Sequence, residues 1–312
     1  MYAGQPPWHG INDNKVLIKQ ACDAREALRL GGLDWEVQRR SVFVDSGDWP
    51  KSNDDYIALV RSDTERVLAI HKGTYEELQN TELALLAEAT TALSSEVMVD
   101  AAFELFGGRV VVMVLQTGEA SVLTGDETIL PYLMLSTSHD GSHAMGARNL
   151  NFRPECMNGF AWAVAGTQSE ITVKHTRNAQ NYLAEARRVL ALHYDHQERL
   201  MAEIEDMLRE PCNYEPVVDA LVGDRPVPEP GKQEGRSQTE WDKRRAGLFR
   251  AYNRADLNNV RHSAWGAVMA VNSYELWEQG FKGDDRAVSQ AKRLLTNGGY
   301  PLTSKARSLV RV

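Results

Sequence analysis

The histidines and carboxylates that recur within a few residues are the first candidates for chemistry in this chain of 312 residues. His139, Asp140 and His143 share one pentapeptide, His139-Asp-Gly-Ser-His143, with His71 upstream and His175 downstream. Such donors build a hydrolytic metal centre only when they converge from several elements and leave one position open. The competing reading is a turn, since Asp-Gly between two strands is good turn chemistry. The turn is the expectation adopted, and no metal is assigned. Cys156 lies just after Pro154, where the start of a helix would lower a thiol's pKa and His139 or His175 would serve as base. A buried, inert helix cysteine is the plainer expectation. Cys22, Cys156 and Cys212 have no CxxC spacing, which argues against a disulfide framework or a zinc cage. The sequence holds no HExxH, GxxxxGKS/T, strand-borne GxGxxG or GxSxG pattern, so the zincin, nucleotide-driven and α/β-hydrolase mechanisms lack their parts. The expectation is a protein that is not an enzyme and carries no cofactor.

Basic side chains offer a different chemistry. Arg109, Arg148, Arg153, Lys174, Arg177, Arg187 and Arg188 all come from the middle of the chain. Between Asp140 and Arg188 six basic residues stand against the acidic Asp140, Glu155, Glu170 and Glu185, a local balance of +2. A strand bearing Arg148, Phe152 and Arg153 beside Lys174, His175 and Arg177 would hold a phosphate backbone while Phe152 stacks on bases. The alternative is an ordinary solvated face, with Phe152, Phe160 and Trp162 in the core. Arg148 and Arg153 are an odd number of residues apart, so an unbroken strand points them to opposite faces and leaves one for a structural role. A second cluster, Lys232, Arg236, Lys243, Arg244, Arg245, Arg250, Arg254 and Arg261, outnumbers Glu234, Glu240, Asp242 and Asp256. Lys243, Arg250 and Arg254 share a helical face, with Trp241, Leu248 and Tyr252 left for the core. A charged helix surface is expected there, with a basic arm for DNA or an acidic partner as the alternative.

Composition bounds both readings. The formal net charge is −8, so the molecule as a whole does not attract polyanions, and only a local face would. Apolar runs are strand-sized, far short of a bilayer span, and residues 1–10 have neither a basic start nor an apolar core. A cytoplasmic protein with no membrane contact is the expectation.

The elements that must position these residues follow from periodicity. Residues 24–30 read as a helix ended by Gly31-Gly32, and residues 35–44 as a strand before a polar loop at 45–55. Residues 56–60 and 67–71 read as a hairpin, and 74–91 as a helix. Residues 97–106 and 109–116 flank Gly107-Gly108 as a second hairpin. Residues 129–138 and 143–152 extend it into an antiparallel β-meander. Pro154 is expected to open a closing helix over 155–165, with a short strand at 170–175. A helix over 178–209 would run roughly 45 Å, with Leu183, Ala186, Leu190, His193, Gln197, Leu200, Ile204 and Leu208 on one face and Pro211 as its stop. The fold class is α+β: an α/β lead-in (1–95), a meander with a long helix (96–223), a Pro/Gly-rich linker (224–236) and a helical C-terminal region (237–312). That last region is read as helices over 239–253, 263–279 and 284–295.

Trp8-His-Gly10, Leu33-Asp-Trp-Glu-Val37, Arg61-Ser-Asp63, Tyr75 with Gln79-Asn80 and Ser138-His-Asp-Gly-Ser142 occur in a distinctive order. Arg153 with Cys156 and Asn158, Lys174-His-Thr176 and Ser263-Ala-Trp-Gly-Ala-Val-Met-Ala-Val-Asn-Ser-Tyr274 continue it. In order and spacing these segments resemble the phage/plasmid-like protein family, over nearly the whole chain from Trp8 to about Ala306. Ile11-Asn12 and Glu155-Cys156 depart from its usual pattern. The resemblance implies a mobile-element setting without an assigned reaction. A meander closed by a helix is similar to the β-β-β-α core of phage single-strand annealing proteins of the Red-beta, RecT and Erf type. That similarity implies an oligomer that binds and anneals single-stranded DNA without ATP, with Arg148, Arg153, Lys174 and Arg177 on phosphate and Phe152 stacked on bases. The alternative is an oligomeric phage protein that binds a host or phage partner and never touches DNA. A metal-dependent nuclease using His139, Asp140, His143 and His175 is the third reading.

Overall fold

The computed structural model describes residues 16–17, 23–45, 47, 49–154, 158–162, 164, 170–173, 179–228, 235–279, 293 and 300–310. In chain order the elements are β1 (Val16–Leu17), α1 (Ala24–Leu30), β2 (Val37–Val44), β3 (Lys51–Arg61), β4 (Val67–Lys72), α2 (Asn80–Thr91), β5 (Met98–Leu105) and β6 (Val110–Gln116). There follow β7 (Ser121–Leu123), β8 (Glu127–Ser138), β9 (Gly146–Arg153), β10 (Asn158–Phe160), β11 (Glu170–Thr172) and α3 (Ala179–Arg209). The C-terminal part holds α4 (Tyr214–Val222), α5 (Arg236–Tyr252), α6 (Ala264–Ser273) and α7 (Pro301–Val310). The class is α+β, as the periodicity predicts.

Two sheets form. The larger runs β1-β5-β6-β8-β9-β10, with β7 on β8 and β11 sharing the far edge of β9 with β10; its pairings are antiparallel. The smaller is the ribbon β2-β3-β4. The central β6 reads Val-Val-Val-Met-Val-Leu without alternation because both its faces are covered. Val111, Met113 and Leu115, with Leu133, Leu135 and Ala147, meet α1, α2 and the first half of α3. Val110, Val112 and Val114, with Tyr132, Met134, Leu150 and Phe152, meet Leu276 and Tyr300.

The long helix α3 joins two cores. Tyr182, Ala186, Val189 and Leu190 belong to the sheet core, whereas Leu200, Ile204 and Met207 lie with α4, α5, α6 and α7 around Trp265. At 31 residues it is about 46 Å long. Past its end, Pro211 pairs with Ser263 in a single bridge, and the Glu275 carboxylate accepts from the Leu302 and Thr303 N–H groups at 3.0 and 2.7 Å, capping α7.

Three boundaries differ from the sequence reading. The loop expected at 45–55 is in part strand: β3 starts at Lys51, and past a bulge Val42, Phe43 and Val44 face Asn53, Ser52 and Lys51. This end of the ribbon is solvated on both sides, so its ladder leaves no hydrophobic alternation to read. The helix expected at 74–91 begins only at Asn80, because Gln79 caps it: its N–H donates to Glu82 at 2.7 Å, and its side-chain amide exchanges two hydrogen bonds with the Val37 backbone. The helix expected after Pro154 is replaced by β10 at Asn158–Phe160, which pairs with the exposed edge of β9. A glycine at 159 is a poor helix former, and the unpaired ladder groups of β9 outweigh the local proline signal. Residues 155–157, 163 and 165 of that segment, Cys156 among them, lie outside the described residues. So do most of the helix expected at 284–295 and residues 229–234 of the linker.

Candidate nucleic-acid interface

The register of β8 against β9 decides where the expected interface residues go. Met134 faces Arg148, Leu133 faces Asn149 and Leu130 faces Phe152. Arg148 and Phe152 therefore share the face of Met134 and Tyr132, while Asn149, Asn151 and Arg153 point to the other. The opposite-face expectation for Arg148 and Arg153 holds, but both sides of the sheet are covered.

Arg153 is 0% exposed and so is its partner Glu127, the first residue of β8. Its Nε donates to Glu127 Oε1 at 2.5 Å and its Nη2 to Oε2 at 2.7 Å. The remaining donors reach Asp256 O at 2.6 Å and Asn259 Oδ1 at 3.1 Å, and Trp265 Nε1 donates to Glu127 Oε1 at 2.6 Å. This bidentate pair clips the C-terminal helices to the sheet, and its full burial leaves the guanidinium out of reach of a phosphate. Arg148 is buried against Glu170 on β11 (2.9 Å), and burial pulls its pKa down while Glu170 opposes the shift. Phe152 is buried edge-on to Tyr132, with ring centroids 6.4 Å apart. The expected DNA contacts of Arg148, Phe152 and Arg153 are thus corrected: these side chains belong to the interior. Lys174 and Arg177 lie outside the described residues, as does His175.

The histidine turn forms, with the Asp140 carboxylate accepting from the Ser142 N–H at 3.0 Å. His139 is buried and donates from Nε2 to Asn80 Oδ1 at 2.9 Å, an orientation that the Asn80 amide fixes by donating to Leu33 O at 2.8 Å. Desolvation pulls the His139 pKa down to about 4. His71 donates to the His139 carbonyl at 2.9 Å and stacks on Tyr75 at 3.9 Å. Among the described residues no group of three His, Cys, Asp or Glu side chains is placed to hold a metal ion.

A chain that the sequence does not announce runs from the Thr117 hydroxyl to His193 Nε2 (2.7 Å), and from His193 Nδ1 to Asn149 Oδ1 (2.7 Å). Asn149 Oδ1 can only accept, so Nδ1 carries the proton and Nε2 accepts from the hydroxyl. Hydroxyl, imidazole and amide stand in nucleophile, base and orienter order, yet all three are buried in the core, and desolvation holds the imidazole's pKa at about 3. It ties α3 to β9 and to the end of β6.

Four of the eight members of the second basic cluster are matched by carboxylates. Arg245 meets Glu215 and Asp219, Arg250 meets Glu278, Arg254 meets Asp256 and Lys243 meets Glu240. These neighbours cancel most of the field a polyanion would feel. Arg261 spends its donors on the carbonyls of Tyr252 and Arg254. A groove of about 350 Å³ beside it, lined by Arg209, Asn258, His262 and Ser263 among others, inherits the same neutralised surroundings.

The ribbon is different. Its inner face carries Val37, Leu59 and Ile57 into the core, and Arg61 is held between Asp63 and Glu104 beneath Trp35. Its outer face, by register, carries Arg40 beside Ala58 and Ile70, Tyr56 beside Lys72, and Val44 beside Lys51. Ile70 is 59% exposed, Phe43 62% and Trp49, in the loop after β2, 80%. The run Val42-Phe43-Val44 was the legible signal: three consecutive apolar residues on one strand cannot all face a single core.

No curated protein and no solved structure matches the chain. The model of one family, a domain of unknown function (DUF932), matches residues 67–295, from β4 of the ribbon through the meander, α3 and α6. That span is most of the molecule, and the chain belongs to the DUF932 family.

Proposed function

We propose that this is a phage or plasmid DNA recombination protein that binds and anneals single-stranded DNA without ATP, as an oligomer in the host cytoplasm. The observation that carries the reading is topological: an antiparallel meander, β5-β6-β8-β9, covered on one face by α3, which after β10 and β11 takes the place of the closing helix expected at 155–165. This layout is similar to the β-β-β-α core of the phage annealing proteins. Catalysis and cofactors have no part in it, and Lys174 and Arg177, which follow β11 in the sequence, remain phosphate contacts. Binding is sequence-independent and salt-sensitive. The test is fluorescence anisotropy of a labelled single-stranded oligonucleotide at low and moderate salt, with particle size recorded alongside, followed by pairing with the complementary strand. Salt-sensitive binding by a large particle that accelerates pairing is the expected result. No binding at low salt overturns it.

The second reading is an oligomeric protein that binds a host or phage protein and not DNA. The neutralised arginines of the C-terminal helices and the net charge of −8 favour it. Capture of a defined protein with no oligonucleotide binding would establish it.

A further inference from the structure

We infer that the outer face of the ribbon β2-β3-β4 is a binding surface for single-stranded nucleic acid, with Arg40, Lys51 and Lys72 on phosphate and Tyr56 and Trp49 on bases. The inference rests on the DNA-binding reading above and gives it a surface that includes none of the sequence-selected residues.

Charge is the first element of this surface. Strand alternation and register place Arg40, Lys51 and Lys72 on one face, in a chain of formal charge −8. Among the described residues none of the three has a carboxylate at ion-pair distance, unlike the matched arginines of α5. The two acidic residues of the middle strand, Asp54 and Asp55, fall in the bulge, where the Asp54 carboxylate accepts from Ser52 Oγ at 2.8 Å and the Asp55 carbonyl accepts from the Gly73 N–H at 2.8 Å. Neither contact neutralises a carboxylate and both aspartates are exposed, so the surface presents three cations without ion pairs along the strand ladder, with two carboxylates in the bulge between Lys51 and Tyr56.

The second element is the rings. Tyr56 lies directly across from Lys72, so a phosphate held by the ammonium brings its own base within reach of the phenol ring. Trp49, exposed in the loop that joins β2 to β3, comes two residues before Lys51 in the sequence. Cations alternating with exposed rings are what an unpaired strand needs, because every base offers a π-face while a duplex hides its own. Ile70, exposed between Arg40 and Lys72 across Ala58, is the position at which DNA and protein occupants make opposite demands.

The experiment compares wild type, the double reversal Arg40→Glu with Lys72→Glu, and Ile70→Lys. Each is measured by oligonucleotide anisotropy across a salt series, by particle size and by thermal unfolding. The expected result is at least a tenfold loss of affinity with a shallower salt slope for the reversal, and a gain for Ile70→Lys, with particle size unchanged. Wild-type binding with a folded reversal that binds equally well overturns the inference and leaves the proposed function standing. A wild type that does not bind at low salt overturns both. Dissociation of the particle by Ile70→Lys, with affinity falling alongside, makes the face a protein interface and overturns the inference. Should the reversal not fold, Lys72→Gln carries the same readout at a smaller, roughly threefold, loss.

Discussion

Two regions of this molecule carry the same residue types in opposite roles. At the start of β8 and the end of β9, Glu127 and Arg153 are fully buried, and the guanidinium donates to a carboxylate, a carbonyl and a side-chain amide. On the ribbon, Arg40 and Lys72 sit at the surface, flanked by exposed apolar side chains. Arginine beside an aromatic residue therefore says little until burial is known. The guanidinium that would hold a phosphate in water holds two layers of the fold together when water is removed.

The largest effect expected from breaking this contrast is Arg153→Ala, which leaves Glu127 buried without its counter-ion. A loss of about 3–5 kcal/mol in urea unfolding is expected. A variant that unfolds like wild type but has lost DNA binding would return Arg153 to the surface role and dissolve the comparison. Acid sharpens the contrast by a second route. His139, His193 and His196 have folded pKa values pulled down by burial to about 4, 3 and 4, below the 6.5 of an exposed imidazole. The unfolded chain binds these protons first, so their contribution is complete above pH 6.5 and is lost as pH falls through 4. Each site adds up to about 1.4 kcal/mol per pH unit in that window. Equilibrium unfolding between pH 7 and 4.5 should show a slope that falls when His193 is replaced by Leu. That same variant strands the Thr117 hydroxyl and Asn149, with an expected cost of about 1–3 kcal/mol at neutral pH.

Smaller effects are expected at the β5–β6 turn. Phe106, Gly107 and Gly108 are all left-handed, at φ 55°, 68° and 90°, and a Cβ on Gly107 would lie 2.0 Å from Arg66 Nη1. Phe106→Gly relieves a conformation that side chains adopt at a cost, so a gain of up to about 1 kcal/mol in thermal unfolding is expected. The smallest change in stability belongs to the ribbon: Trp49→Ala should stay within about 0.5 kcal/mol of wild type. A stability loss above about 2 kcal/mol there would mean that the ring is part of a core.

Local signals in the sequence carried much of the fold. The α1 helix with its Gly31-Gly32 end, the Gly107-Gly108 hairpin, the unbroken apolar run of β6, the span of α3 and its stop at Pro211 all depend on neighbours a few residues away. The closing helix after Pro154 failed for the reason the others succeeded. Its local proline signal was overruled by the unpaired edge of β9, which no short window contains.

The candidate site was legible only in part. The odd spacing of Arg148 and Arg153 foretold opposite faces, because side-chain alternation is built into a strand. Whether either face meets water was set by partners far along the chain: Glu127 lies 26 residues before Arg153, and Asn259 lies 106 after it. Glu170 reaches Arg148 across β11, and Leu276 and Tyr300 cover Phe152. Periodicity and turn chemistry are properties of the chain itself and were determined by the sequence alone. Burial is a property of which layers stack, so only the tertiary structure decided which arginines became fasteners and which stayed at the surface.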